Sequence, residues 1–349
     1  MESRGLLALR TDADENIGTG HVMRCMALGQ AWRDMGGEVV FITSCNLEGL
    51  KRRLKDEGFL VIQIDRRHPH HNDITETKRI AKTLGISWMA LDGYHFDEKY
   101  FLEIKKSGYP IISIDDIGHL KHYYSNMIIN QNLFAKQISY SCENYTKIFR
   151  GTEYVLLRRE FARLRRHRKE IPVIAKKILI TMGGSDPQNH TMLALRALDK
   201  IHQKISCEIK IIIGAGFKYF KDLQEIAEAL PDVHLVVEPV NMAKLMEWAD
   251  IAITNAGSTT WELFYMGLPA IFFSSSYNQL VLKNAIAEED IGITIDENEN
   301  DERVIAETIK HLMANYSYRK RVTGVARALV DGKGAMRVCN LISEYKALR

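Results

Sequence analysis

The sequence predicts an α/β protein made of two doubly wound, parallel-sheet domains. Short apolar runs of four to six residues alternate with amphipathic segments, as in parallel strands joined by crossover helices. The same alternation fills both halves of the chain, and a charged stretch closed by Pro172 separates them. A length of 349 residues also fits two domains, at roughly 150 residues per domain.

The apolar runs predict the individual elements in chain order. In the first half the predicted strands are Leu6–Arg10, Glu38–Thr43, Leu60–Ile64, Ser87–Leu91, Ile111–Ile114 and Met127–Asn130. In the second half they are Lys177–Thr181, Glu208–Ile213, His234–Val237, Ile251–Thr254 and Ala270–Phe273. We expect one domain at 1–160, a linker at 161–172 and a second domain at 173–349, with the last helix able to pack back on the first domain.

Composition and charge restrict the possible partners. The net charge of +3 is too small for a nucleic-acid-binding surface, so a small ligand is favoured. The five cysteines are widely spaced without a C-x-x-C pair, which favours neither a disulfide framework nor a zinc ribbon. The first apolar run is too short for a signal peptide, and no apolar stretch reaches the roughly 18 residues of a membrane span. We therefore expect a cytoplasmic protein without stable membrane insertion.

The loops that follow the strands are the expected ligand sites, because open parallel sheets bind ligands beyond the carboxyl ends of their strands. The loop after the first strand contains Gly18 and Gly20, and a helix beginning near His21 offers its amides to an anion. A dinucleotide fingerprint requires a third glycine where Met23 stands. NAD binding is therefore disfavoured, and no P-loop sequence is present.

His21 is the candidate general base of the first domain. An imidazole at a helix start has its cationic form disfavoured by the helix dipole, so it could activate a water molecule. An equally good interpretation is that His21 only binds the loop carboxylate of Asp12 or Asp14. Arg24 lies one turn later on the same face, where an ion-pair donor that organises the loop is the better interpretation.

Two loops of the second half predict a phosphate site. Gly183, Gly184 and Ser185 follow a strand in a turn whose amides could hold a diphosphate, although a plain turn capped by Ser185 or Asp186 is as good an interpretation. The second loop consists of small residues that open a helix: Asn255, Gly257, Ser258 and Thr259. Glu262 either binds ribose hydroxyls or closes a T-x-x-E capping box with Thr259, and both interpretations stay open.

Three further groups have competing interpretations. The basic stretch Arg158–Lys169 fits a solvated helix face better than a polyanion contact. The histidines His68, His70 and His71 suggest a metal cluster, but a polar surface loop is favoured. The paired acids Asp115 and Asp116 fit a structural role better than a sugar or metal contact.

Five motifs carry a resemblance that covers nearly the whole chain. They are Arg10-x-Asp12-x-x-x-x-Ile17-Gly18-x-Gly20-His21-Val22-x-Arg24, Asp92-Gly93-Tyr94, Asp115-Asp116, Thr181-Met182-Gly183-Gly184-Ser185-Asp186-Pro187 and Thr254-Asn255-Ala256-Gly257-Ser258-Thr259-Thr260-Trp261-Glu262. Together they resemble PseG, the UDP-sugar hydrolase family of pseudaminic acid biosynthesis. That family is similar to GT-B glycosyltransferases such as MurG.

The resemblance implies a GT-B fold, in which two Rossmann-like domains enclose an interdomain cleft. It also implies inverting cleavage of the C1–O bond of UDP-2,4-diacetamido-2,4,6-trideoxy-β-L-altropyranose, with no cofactor and no metal. Separately, we expect the chain to be a monomer. His21 would be the base and Tyr94 its support, while Asp12, Gly18, Gly20 and Arg24 would organise the sugar-side loop. The diphosphate would bind Gly183, Gly184, Ser185, Asn255, Gly257, Ser258 and Thr259, and the ribose Glu262. A GT-B glycosyltransferase and a non-catalytic nucleotide-sugar binding protein remain the alternatives.

Overall fold

The chain forms two compact units. The computed structural model describes residues 4–164, 170–202, 206–230, 232–296 and 301–347. One unit contains Met1–Arg159 together with Gly332–Arg349, and the other contains Glu160–Asp331. The last helix of the chain therefore belongs to the same unit as the first strand.

The first unit is built on a seven-stranded parallel sheet. Its strands are β1 Leu6–Thr11, β2 Glu38–Thr43, β3 Leu60–Gln63, β4 Trp88–Asp92, β5 Ile111–Ile114, β6 Met127–Asn130 and β7 Lys147–Arg150. Its helices are α1 Gly20–Asp34, α2 Glu48–Asp56, α3 His71–Leu84 and α4 Glu98–Lys106. The strand order is β3-β2-β1-β4-β5-β6-β7, so β1 and β4 are central neighbours.

The second unit repeats this plan with six parallel strands. After α5 Arg159–Leu164 come β8 Lys177–Thr181, β9 Glu208–Ile213, β10 Val233–Val237, β11 Ile251–Asn255, β12 Ala270–Phe273 and β13 Ile293–Thr294. The helices are α6 His190–His202, α7 Phe220–Glu228, α8 Met242–Trp248, α9 Thr259–Met266, α10 Tyr277–Glu288, α11 Glu302–Ala314 and α12 Tyr316–Leu329. The order β10-β9-β8-β11-β12-β13 makes β8 and β11 neighbours. The last helix, α13 Gly334–Ala347, packs against α1 in the first unit.

The two sheets confirm the predicted α/β, doubly wound class. Each predicted strand is present to within one residue at its ends. Strands β7 and β13 were not predicted, and both lie at sheet edges. Strand β7 begins and ends with a basic residue and β13 has only two residues, so neither gives the buried apolar run of an inner parallel strand.

Helices cover both faces of each sheet, which explains why the inner strands are apolar throughout. All five residues of β4 are buried, and Met89 of this strand shares a core cluster with Ile80 of α3 and Phe101 of α4. In the second unit Ile253 of β11 shares a cluster with Leu195 of α6. Each such large apolar side chain contributes about 1.5–3 kcal/mol when it leaves water.

Local signals in the sequence determine where the helices begin and end. Asp97 caps α4, because its side chain accepts a hydrogen bond from the Tyr100 amide at 2.9 Å. Gly85 ends α3 with a left-handed backbone, φ 62°. Within the part of the chain that the structure describes, we find no helix with the length and apolarity needed to cross a bilayer.

Candidate active site

Several acidic side chains meet at the carboxyl edge of the first sheet. Asp92 is the last residue of β4 and pairs in register with Thr11 of β1, so Asp12 follows at the same edge. Asp116 lies two residues beyond β5, the other neighbour of β4. Because parallel strands end at a common edge, these carboxylates come together although the sequence separates them widely.

His21 lies in the first turn of α1 and binds the carboxylate of Asp92. Its Nδ1 is 2.6 Å from Asp92 Oδ1, so its partner is neither Asp12 nor Asp14, the loop carboxylates considered from the sequence. Asp92 is fully buried, and the imidazole is 11% exposed. Among the described residues, Nε2 has no hydrogen-bond partner. The second ring nitrogen can therefore accept a proton.

Arg24 joins two carboxylates of this edge. Its Nε and Nη2 donate to the two oxygens of Asp92 at 2.7 Å each, and its Nη1 donates to the oxygens of Asp116 at 2.8 and 2.9 Å. Burial by itself raises the pKa of both acids, but Arg24, His21 and, for Asp116, the Tyr94 hydrogen bond together outweigh it and hold each pKa below the ordinary range. Asp92 is therefore ionised and accepts the Nδ1 proton of His21.

Tyr94 stands beside the imidazole of His21. The two rings meet edge to face with centroids 5.0 Å apart, and the phenol donates a hydrogen bond of 2.5 Å to Asp116 Oδ2. Burial raises the pKa of Tyr94, and the negative charge of Asp116 raises it further. Tyr94 is therefore a neutral hydrogen-bond donor that holds one side of the histidine in place.

The paired acids have separate surroundings. Asp115 accepts hydrogen bonds from the phenols of Tyr123 and Tyr140 at 2.8 and 2.7 Å and from His119 Nδ1 at 2.8 Å. It therefore anchors the chain that follows β5, whereas Asp116 belongs to the Arg24 network. Among the described residues, no three or more His, Cys, Asp or Glu side chains are grouped so that they could hold a metal ion.

Asp12, Gly18 and Gly20 shape the loop between β1 and α1. Asp12 is buried and accepts hydrogen bonds from Arg10 Nη1 and the Ser44 amide, both at 2.6 Å. Gly18 has φ 76°, a region that favours glycine, and its amide donates to the Asp14 carbonyl at 2.9 Å. Gly20 is the first residue of α1.

The carboxyl edge of the second sheet contains mainly glycines and neutral side chains. Gly183 has φ 89°, and the Gly184 carbonyl accepts a hydrogen bond of 2.8 Å from the Gly216 amide. Ser185 is buried. Asp186 accepts hydrogen bonds from the first amides of α6, at His190 and Thr191, so Asp186 rather than Ser185 caps that helix.

Asn255 ties two loops of this edge together. Its Oδ1 lies 2.9 Å from His190 Nδ1, and its Nδ2 donates to the Met182 carbonyl at 3.1 Å. The side chain is buried in these contacts. Gly257 lies two residues further along the chain, and among the described residues a methyl group added there would meet only Gln279 Nε2, at 3.6 Å. This backbone can therefore approach a ligand closely.

The structure does not support the capping-box interpretation of Thr259 and Glu262. The helix begins at Thr259, the residue before it is Ser258, and the Ser258 side chain makes no capping hydrogen bond. Thr259 is thus inside the first turn, where the Thr-to-Glu spacing of a capping box no longer applies. Glu262 lies in the same turn and is partly exposed. The first amides of a helix lack partners within the helix and favour anions.

The other sequence candidates make separate contacts. Arg159 pairs with Asp34 at 2.7 Å, and residues 165–169 of the basic stretch fall outside the described residues. His70 accepts a hydrogen bond from the Asn72 amide, and His68 lies 3.1 Å from an oxygen of Asp97.

Comparison with known proteins identifies three informative relatives. The chain is 26% identical over 278 residues to an uncharacterized protein of Methanocaldococcus jannaschii, covering 76% of this chain but 54% of that one. It is 23% identical over 336 residues to the spore coat polysaccharide biosynthesis protein SpsG of Bacillus subtilis, covering 95% and 96%. It is 27% identical over 267 residues to the UDP-2,4-diacetamido-2,4,6-trideoxy-β-L-altropyranose hydrolase of Campylobacter jejuni, covering 72% and 85%. The predicted resemblance is confirmed.

A family model and solved structures confirm the GT-B fold. Residues 178–328 match the Glycosyltransferase family 28 C-terminal domain. Acinetobacter baumannii MurG superposes with a TM-score of 0.63 at 18% identity, covering 97% of this chain and 99% of that one. A structure of Staphylococcus aureus MnaA with UDP has a TM-score of 0.68 at 11% identity, covering 99% and 98%. Both chains have the same fold as this protein.

Proposed function

We propose that this protein is a nucleotide-sugar hydrolase that converts UDP-2,4-diacetamido-2,4,6-trideoxy-β-L-altropyranose and water into UDP and the free hexose. The observation that carries the proposal is the pair formed by His21 and the buried, ionised Asp92. This pair fixes the Nδ1 proton and keeps Nε2 available as a base. The similarity to the Campylobacter jejuni hydrolase supports the choice of substrate.

The proposed reaction needs one base and a stabilised leaving group. Water attacks C1 of the sugar, one of its protons passes to His21 Nε2, and the bond from C1 to the β-phosphate oxygen breaks with its electron pair on UDP. Because UDP is a good leaving group, the main tasks are to position the water and to stabilise the charge that develops on the β-phosphate. Attack from the ring face opposite UDP inverts C1. Tyr94 and Arg24 keep the base in place.

We assign the nucleotide to the second unit. The diphosphate would bind the backbone of Gly183, Gly184, Gly257, Ser258 and Thr259, with Ser185 alongside and Asn255 holding the two loops together. The ribose would bind Glu262. The open space at Gly257 supports this assignment, and the dipole of α9 favours an anion at the start of that helix. In this assignment the neutral imidazole base belongs to the first unit and the diphosphate binds the second.

The experiment that tests the proposal follows UDP release in H₂¹⁸O with EDTA present. Wild type is expected to release UDP without added metal, with ¹⁸O on the sugar and none on the phosphate. His21→Ala is expected to lose the activity while binding UDP normally. The matched control is His71→Ala, which removes an exposed imidazole at the start of α3 and should react like wild type. Label in the phosphate would disprove C1–O cleavage.

A second candidate function is sugar transfer by the same fold. The match to a glycosyltransferase C-terminal domain favours it. A transferase would release little UDP in water alone and would need an added acceptor. If the wild-type protein were inactive in H₂¹⁸O but active with an added acceptor, sugar transfer would replace the hydrolase proposal. A binding protein would show no turnover in either assay, and His21→Ala would leave its affinity unchanged.

A further inference from the structure

Two aspartate–histidine pairs cross between the neighbouring strands β1 and β4. Asp92 ends β4 and binds His21, which follows β1. Asp12 follows β1 and binds His95, which follows β4, with 2.8 Å between Asp12 Oδ2 and His95 Nε2. Thr11 and Asp92 are in register, so the two carboxylates start from strands about 4.8 Å apart. His95 is not among the site residues predicted from the sequence.

The Asp12 carboxylate determines which nitrogen of His95 holds the proton. Burial raises the pKa of Asp12, but the nearby Arg10 guanidinium and the donors around it hold that pKa well below the ordinary range. An ionised carboxylate only accepts hydrogen bonds. His95 Nε2 must therefore donate its proton to Asp12. In His21 the roles are exchanged, because Nδ1 is the nitrogen that donates to its aspartate.

The second nitrogen of His95 is consequently an acceptor when the ring is neutral. Burial lowers the pKa of His95 more than the charge of Asp12 raises it, and the cations Arg10 and Arg67 lower it further. The ring thus carries one proton near neutral pH. Its Nδ1 lies against the turn that joins Asp92 to Tyr94, since a Cβ added at Gly93 would be 2.9 Å from it. Among the described residues, His95 Nδ1 has no hydrogen-bond partner.

We propose that His95 is a specificity-determining residue whose Nδ1 accepts a hydrogen bond from an N–H or O–H group on the hexose of the UDP-sugar. The proposal rests on the hydrolase function, because it places the sugar over the turn that also carries Asp92 and Tyr94. His95 is 15% exposed. Its ring orientation is fixed because Nε2 binds the buried carboxylate of Asp12, so Nδ1 is held in one direction. A sugar that offers only an acceptor or a carboxylate at this position leaves the nitrogen unpaired and binds poorly.

Two substitutions separate recognition of the sugar from support of Asp12. In His95→Gln the amide nitrogen can replace Nε2 and keep the bond to Asp12, but the Nδ1 acceptor is lost. In His95→Asn the amide oxygen can replace Nδ1, but the bond to Asp12 is lost. We expect His95→Gln to lower kcat/KM about tenfold, mainly through KM, and His95→Asn to lower it less. The opposite order would show that His95 only supports Asp12 and would overturn the proposal.

A spectroscopic measurement tests the same proposal without turnover. Long-range ¹H–¹⁵N NMR of histidine-labelled His21→Ala is expected to show His95 protonated on Nε2 alone. Its Nδ1 resonance should move on addition of the UDP-sugar and stay in place with UDP alone. A proton on Nδ1, or no response to a bound UDP-sugar, would disprove the proposal. If wild type released no UDP while Nδ1 still responded, the hydrolase function would fail and the sugar contact would stand.

Discussion

The carboxyl edges of the two sheets have the same topology but opposite chemistry. In the first unit Asp12, Asp92 and Asp116 are buried and ionised among Arg10 and Arg24. In the second unit the corresponding loops contain glycines, hydroxyl groups and the amide of Asn255. A doubly wound unit therefore supplies only the position of a site, and the residues after the strands decide whether it suits proton transfer or anion binding.

The paired charges of the first unit explain why His21 can be held so firmly. Asp92 receives hydrogen bonds from His21 and from two nitrogens of Arg24, and Arg24 is itself held by Asp116. Each charge is paired, so the cost of burying it is offset. The anion site proposed for the second unit would need no such network, because backbone amides carry partial charge without requiring a counterion.

The largest effect should follow from removing the charge next to the base. Asp92→Asn is expected to lower kcat roughly 10²- to 10⁴-fold, because an amide no longer fixes the Nδ1 proton of His21. UDP affinity should not change, since the proposed nucleotide site is in the other unit. Steady-state kinetics and calorimetric titration with UDP measure the two quantities.

Asp34→Asn provides the matched control for this change. Asp34 is half exposed at the end of α1, and its carboxylate pairs with Arg159. Its loss should affect kcat by less than about twofold, because exposed ion pairs contribute little. If Asp92→Asn kept near-wild-type kcat, the His21–Asp92 pair would not be the catalytic base.

The next largest effect tests the second unit through its backbone. Gly257→Ala adds a methyl group that fits the structure, with its nearest neighbour at 3.6 Å. If the diphosphate approaches this backbone, UDP should bind about tenfold more weakly, or about 1.4 kcal/mol, while the melting temperature stays unchanged. Titration calorimetry and thermal unfolding give both values.

Gly214→Ala is the contrasting substitution in the same region. A methyl group at Gly214 would lie 2.5 Å from the Gly184 carbonyl oxygen, so the backbone must shift. This variant should lose thermal stability first. Equal losses of stability in both variants would indicate that Gly257 is needed for packing and that no ligand contacts it.

The comparison also shows what the sequence could predict. The buried parallel strands were recognised because helices on both faces require uninterrupted apolar runs, such as Ile251–Thr254. The loops at both carboxyl edges could also be predicted, because they come directly after the ends of the predicted strands. The pairing of His21 with Asp92 did not follow, because these residues are 71 positions apart. Their contact depends on β1 and β4 being neighbours, which an apolar pattern does not specify.

The same limit applies to His95 and to the start of α9. His95 stands 83 positions from Asp12, and only the order of the strands brings the two together. The T-x-x-E spacing of Thr259 and Glu262 was compatible with a capping box, but the helix begins one residue earlier than that motif requires. A cap motif is a local pattern and does not fix the first residue of a helix. Here Thr259 itself is the first helical residue, one position before the start that the motif requires.

A smaller effect is expected from Tyr94→Phe. The change keeps the ring against His21 but removes the hydrogen bond to Asp116. Arg24 and Asn132 still bind Asp116, so kcat should fall only about threefold, and the free energy of unfolding by about 1.5–3 kcal/mol. Chemical denaturation with steady-state kinetics measures both, and a thousandfold loss of kcat would instead make the phenol a direct participant in the reaction.

The last prediction concerns the stability of the two units in acid, and near neutral pH it implies the smallest effect. The pKa values of Asp12, Asp92 and Asp116 are lowered in the folded protein, so the unfolded chain binds their protons at higher pH than the folded chain does. The stability that they contribute is complete well above the unfolded pKa of about 3.9 and is lost as the pH falls through and below it. All three lie in the first unit.

Between about pH 4 and pH 3, pepsin should therefore cut within Met1–Arg159 before it cuts within Glu160–Asp331. Peptide mapping over time would show this order, and simultaneous cleavage of both units would indicate that the buried ion pairs do not set the acid stability of the first unit.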